Sequence, residues 1–179
     1  MWALVEDSKI SKVYSKPTQL TIGDIKYPSN IHNLWSEAEL KAIGVYTVIE
    51  DNSNLKDKEY YINTDQSFAF ASNKVTATYG TATARDLDTL KTNNCSKIDE
   101  TAYGLLQPND WMVVRNAESS KAIPSDWLDY RVAVRTAATD MKTKINAVSD
   151  VDALAALYAY NDADPPVRPL GEFPTPPTS

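Results

Sequence analysis

Apolar and polar residues alternate along the first 80 positions; beyond them apolar residues recur every three or four positions. The first pattern predicts strands and the second predicts helices. Trp2–Val5 and Ile10–Tyr14, separated by polar Glu6–Lys9, read as a hairpin. Leu20-Thr21-Ile22 and Ile25-Lys26-Tyr27 read as another around Gly23-Asp24. Pro28, with no N–H for the next ladder bond, ends it. Ser36-Glu37-Ala38-Glu39 has capping-box spacing, in which the serine oxygen accepts from the Glu39 N–H and the Glu39 side chain returns to the Ser36 N–H. Leu40 and Ile43 supply that short helix's apolar stripe, and Gly44 its left-handed stop. Val45–Ile49 is a β-rich run. Phe68 and Phe70 on one arm, and Val75, Ala77 and Tyr79 on the other, predict a hairpin bent at Ser72-Asn73-Lys74.

After Gly80 the period changes. Thr83–Lys91 reads as helix, broken at Asn93-Asn94; Ile98–Leu106 reads as a second, weakened by Gly104 and stopped by Pro108. Pro124 and Ser125 open the longest helix, whose stripe is Trp127, Tyr130, Val134, Ala138, Met141, Ile145 and Val148. Ser149-Asp150-Val151-Asp152 is an N-cap signature ahead of Leu154, Leu157 and Tyr158. Six of the 10 prolines lie between residues 165 and 177, which predicts an extended tail, either loose or laid along a partner. The expected class is α+β: a small antiparallel β domain with one short helix over residues 1–82, a helical domain over 83–160, and a Pro-rich tail over 161–179.

Composition narrows the function. The chain has 179 residues, 42% hydrophobic and 23% charged, enough to bury a core. Lys plus Arg number 18 and Asp plus Glu 24, and the net charge of −6 argues against nucleic acid as a partner held by bulk charge. Met1–Val5 runs straight into Glu6 and Asp7, and nowhere do about 18 apolar residues run together, so neither a leader nor a membrane span is expected. The expected site of folding is the cytoplasm. Cys95 is the single cysteine and reads as an idle thiol; it excludes an internal disulfide and a Cys-rich zinc site. His32, the single histidine, reads as an ordinary surface or boundary residue, and any triad would have to use it. With five glycines the chain holds neither a GxGxxG nor a GxxxxGK[ST] loop. No catalytic residue, metal or cofactor is assigned, and the expectation is a protein that is not an enzyme.

The informative residues are aromatic. Trp111 and Trp127 flank Met112-Val113-Val114, Tyr130 follows Trp127 by one turn, and Arg131 and Arg135 form an i,i+4 pair. In one reading the tryptophans fill the core and the arginines make surface ion pairs. In the other, Trp111, Trp127, Tyr130, Arg131 and Arg135 form an exposed strip that binds another protein, since Trp, Tyr and Arg carry much of the energy at interfaces.

Leu105-Leu106-Gln107-Pro108-Asn109-Asp110-Trp111, followed by Trp127-Leu128-Asp129-Tyr130-Arg131 and Arg135, resembles the double-leucine, Asp-Trp and Trp-x-x-Tyr-Arg-x-x-x-Arg signature of bacteriophage tail assembly chaperone proteins. Phe173-Pro174-Thr175-Pro176-Pro177 is similar to that family's Trp-Pro-x-Pro ending, with Phe173 in the tryptophan's place. Tyr27-Pro28-Ser29-Asn30, Trp35–Leu40 and Ile43–Tyr46 resemble the leading domain of phage tail-fibre-associated proteins. The resemblance implies a non-enzymatic tail protein acting in fibre or baseplate assembly in the host cytoplasm, with other tail proteins as partners. A resident subunit of the virion tail is the alternative, and the near-heptad run from Trp127 to Val148 offers a seam for self-association as a homotrimer. A glycan-binding or glycan-cleaving module, stacking sugars on Tyr60, Tyr61 or Tyr79, is the third reading.

Overall fold

Two turns without glycine fold the first strands back on themselves. In a computed structural model that describes residues 1–178, Asp7 and Ser8 (φ 49° and 62°) join β1 (Trp2–Glu6) to β2 (Lys9–Tyr14). Ser72 and Asn73 (φ 50° and 58°) join β7 (Gln66–Ala71) to β8 (Lys74–Tyr79). Paired left-handed residues match the twist of a two-residue hairpin loop. Between them lie β3 (Leu20–Ile22), β4 (Ile25–Tyr27), α1 (Ile31–Leu34), α2 (Glu37–Ala42), β5 (Val45–Asp51) and β6 (Tyr61–Ile62); β9 (Thr83–Ala84) follows. The chain divides into two units, residues 1–83 and 84 onward.

In the first unit the main sheet runs β2-β1-β5-β8-β7. The expected all-antiparallel arrangement is corrected at its centre. Val48–Asp51 pair in parallel with Val75–Thr78, because residues 52–73 return the chain to the starting end of β5 before β8 begins. A second correction is that two short helices, not one, interrupt the strands. Alternation along β1 sends Leu4 to one cluster, with Leu20, Ile31, Leu40 and Val45, and Ala3 to another, with Val48, Val75 and Ala77. The β3–β4 hairpin and α2 therefore serve the Leu4 face. Gly44 sits at φ 79°; its carbonyl accepts from the Val5 N–H at 2.8 Å, and a Cβ there would come within 2.7 Å of the Val5 carbonyl. Only glycine fits.

The second unit is built from α3 (Leu87–Leu106), a single 3₁₀ turn (Gln107–Asn109), α4 (Asp110–Ser119), α5 (Ser125–Ala147) and α6 (Val151–Tyr158). α3 starts at Leu87, where Asp86 accepts from the Thr89 N–H at 2.8 Å. It runs through Asn93-Asn94, contrary to the break expected there. Asn94 is buried; its amide nitrogen donates to the Leu90 carbonyl at 2.8 Å and its oxygen accepts from the Tyr158 hydroxyl at 2.7 Å. A partner 64 residues away removes the usual reason for asparagine to leave a helix. The stripe Tyr130, Val134, Ala138, Met141 and Ile145 is buried, with α3 packed along α5. The seam suggested for a homotrimer is thus filled by the chain's own helix.

The Pro-rich tail also packs on its own unit and is not loose. Leu170 is 1% exposed and its N–H donates to the Leu157 carbonyl at 2.9 Å. Lys144 donates Nζ to the Pro169 and Leu170 carbonyls at 2.8 and 3.2 Å. Arg168 lies over the rings of Tyr158 and Tyr160 and pairs with Glu172. The Glu172 carboxylate accepts from the Tyr160 hydroxyl at 2.7 Å, and this bond raises the phenol's pKa above its ordinary value.

Candidate functional site

The site expected from sequence is organised by one residue that it does not expose. Arg131, 4% exposed, projects from the inner side of α5. Its Nη1 donates to the Leu106 carbonyl at 3.1 Å and to Asn109 Oδ1, and its Nη2 donates to Asp110 Oδ1 at 2.6 Å. The guanidinium fork thus satisfies the last carbonyl of α3, the buried Asn109 amide and the first carboxylate of α4 together. It fixes where α4 leaves the bundle. Tyr130 is 5% exposed and meets the half-buried Trp127 edge to face, with ring centroids 5.8 Å apart. Tyr130 and Arg131 therefore leave the proposed binding strip. They lie on the helix face that packs inward, where they hold the scaffold.

The other three residues sit around that pin. Trp111 follows Asp110, the carboxylate that Arg131 holds, and is 53% exposed, with the Arg115 guanidinium 4.7 Å from its ring centroid. Trp127 lies one turn before Arg131. Arg135 lies one turn after it and is exposed; its Nη1 donates to the Arg131 carbonyl at 3.3 Å, and no carboxylate among the described residues pairs with it. Sequence reasoning missed the helix that carries Trp111. In α4 no residue is buried, and Val113 and Val114 are 42% and 55% exposed. It missed as well that Leu128 and Val132 of α5 stand half exposed. The run Trp111–Val114 was a signal for an apolar segment, but nothing in its spacing tells whether a core covers it.

The remaining candidates resolve into structure. His32 is 6% exposed, not at the surface: its Nε2 donates to the Thr18 carbonyl at 3.0 Å, and its ring lies 4.7 Å from that of Trp2. Cys95 is half-buried in α3. Tyr60 is 6% exposed, which withdraws it from the set proposed to stack on sugars; Tyr61 and Tyr79 are half-buried. Among the described residues no three His, Cys, Asp or Glu side chains are grouped to hold a metal ion, and no helix is long and apolar enough to cross a membrane. No protein-family model, curated protein or solved structure matches the chain. The fold and the site define an α+β protein with a pinned helix that leaves Trp111, Val113 and Val114 exposed.

Proposed function

We propose that this chain is a non-enzymatic bacteriophage tail protein that acts in tail-fibre or baseplate assembly by binding another tail protein. The observation that carries the binding role is α4. Isolated helices of about 10 residues are marginal in water, and in proteins they draw their stability from a buried face. Here Trp111, Val113 and Val114 stand open, and Arg135 on α5 is exposed with no carboxylate among the described residues paired to it. Covering such a face with a partner supplies the missing burial, and Trp and Arg are the residue types that anchor interfaces. The phage assignment rests on the Leu105–Trp111 and Trp127–Arg135 resemblance.

The test is co-expression with the fibre and baseplate proteins of a tailed phage, followed by size-exclusion chromatography. A stable complex is expected, and Trp111→Ala combined with Val114→Asp abolishes it while far-ultraviolet circular dichroism stays unchanged. Failure to co-elute with any tail protein would overturn the reading. Mass spectrometry of purified particles then separates an assembly factor, absent from them, from a resident subunit present in stoichiometric amount.

A further inference from the structure

The opposite side of α5 carries a second uncovered surface. Asp129, Val132, Ala133, Thr136, Ala137 and Asp140 of α5, with Glu172 and Pro174 of the tail, line an open groove of about 460 Å³. Its floor is apolar at Val132, Ala133 and Ala137, and Val132 is 55% exposed. Asp129 and Asp140 stand at its two ends. Eleven residues make just over three whole turns, so both carboxylates point nearly the same way, about 16 Å apart along the axis.

Neither carboxylate is paired with a cation among the described residues. Asp129 has Ser125, Asp126, Val132 and Ala133 at the helical spacings where a pair forms, and none is a cation. Asp140 has Lys144 four residues on, but that ammonium is held by the Pro169 and Leu170 carbonyls of the tail. Arg135 is six residues from Asp129 and five from Asp140, so it projects from another side of the helix. Glu172 is taken up by Arg168 and Tyr160. The groove thus presents an apolar floor between two free negative charges at a fixed separation.

We propose that this groove seats a segment of a different polypeptide, an amphipathic helix whose apolar centre is bracketed by two basic side chains about 16 Å apart. Charge selects the occupant. A second copy of this chain, with net charge −6, brings repulsion to an acidic rim, whereas a basic segment is drawn to it. The inference requires no part of the phage reading and uses a face of α5 other than the one next to α4.

The test titrates the full ¹⁵N-labelled chain with two synthetic 18-residue helical peptides. They share an Ala/Leu face and differ only in carrying Lys, or Glu, at positions 4 and 15. The Lys peptide is expected to shift amide signals within 129–140 and 172–174, and the Glu peptide to shift none. Asp129→Lys with Asp140→Lys, at exposed positions that leave the fold intact, weakens the Lys peptide about tenfold, and 0.5 M salt weakens it severalfold. The proposal is overturned if the two peptides bind alike, if the Lys peptide leaves the groove signals unmoved, or if those signals move with concentration of the chain alone, which would assign the groove to a second copy. The Trp111 and Val114 variant of the co-elution experiment leaves this titration unchanged, so either idea can fail without the other.

Discussion

The two units differ in how many polar side chains they bury. The first buries one and otherwise relies on exposed local caps; His32 reaches the Thr18 carbonyl at 3.0 Å. The Ser36 N–H donates to the Glu39 carboxylate at 2.7 Å, the Glu39 N–H donates back to the Ser36 hydroxyl, and His32 is the one polar residue among the described residues that is buried there. In the second, Asn94, Asn109 and Arg131 are buried, and their partners are reached over the fold: Tyr158 for Asn94, and Leu106, Asn109 and Asp110 for Arg131. A local device shapes one element and can be lost alone. A buried hub shared by three elements fails as a unit, because each partner left behind keeps its desolvation cost.

The sharpest way to break this contrast is Arg131→Met. It keeps an apolar stem in the site but strands the Leu106 carbonyl and the Asn109 oxygen, and is expected to cost about 2–3 kcal/mol in urea unfolding followed at 222 nm. Asp110→Asn at the other end of the same pair is expected to cost under about 1 kcal/mol, since the Asp110 side chain is 50% exposed and water replaces the arginine. Equal losses from the two variants would show that the ion pair, and not the buried fork, holds the junction. Because the fork aims α4, Arg131→Met should also weaken any partner bound through Trp111.

Gly44→Ala probes the first unit. An L-residue at φ 79° and a Cβ against the Val5 carbonyl together are expected to cost about 2–3 kcal/mol, read by the same unfolding experiment. The damage should stay in the first unit: amide exchange is expected to speed up in β1 and β5 and to remain unchanged in α3 and α5. Loss of protection in α5 would contradict the division of labour drawn here.

The same contrast explains what could be read from the residues. Ser36 with Glu39, the stop at Gly44, the bend expected at Ser72-Asn73-Lys74 and the stripe expected from Trp127 to Val148 all act within a few residues of themselves, and they stand where spacing places them except at two edges: Lys74 already belongs to β8, and Val148 falls just past the end of α5. Asn94 was misread because its propensity is set by neighbours, whereas its fate is set by Tyr158. Gly104, which also reads as a weak point, lies in the last turn of α3, where the Arg131 bond to the Leu106 carbonyl helps to offset about 1 kcal/mol of glycine cost. The parallel pairing of β5 with β8 depends on the return path of 22 intervening residues, which alternation does not encode. Of the site, the aromatic and arginine types were legible. Which of them turn inward was not, because an i,i+4 pair fixes a side of the helix without saying what lies opposite.

The smallest expected effect tests where the two units behave alike, at one capping carboxylate in each. The Ser36 hydroxyl and then its N–H hold Glu39 below the usual carboxylate range, and the Thr89 hydroxyl and then its N–H do the same for Asp86. A carboxylate whose pKa is lowered in the folded state adds stability that is fully present above the unfolded value, about 4.3 for Glu and 3.9 for Asp. That contribution is lost as pH falls through the lower, folded value. Carboxyl ¹³C shifts followed from pH 6 to 2 should therefore give both midpoints below those of unstructured Glu and Asp. Ser36→Ala, which removes the hydroxyl but keeps the N–H, should raise Glu39 toward its ordinary value and leave Asp86 where it was. A shift of Asp86 in that variant would mean that even these short-range caps are coupled through the fold, and the local reading of the first unit would fail with them.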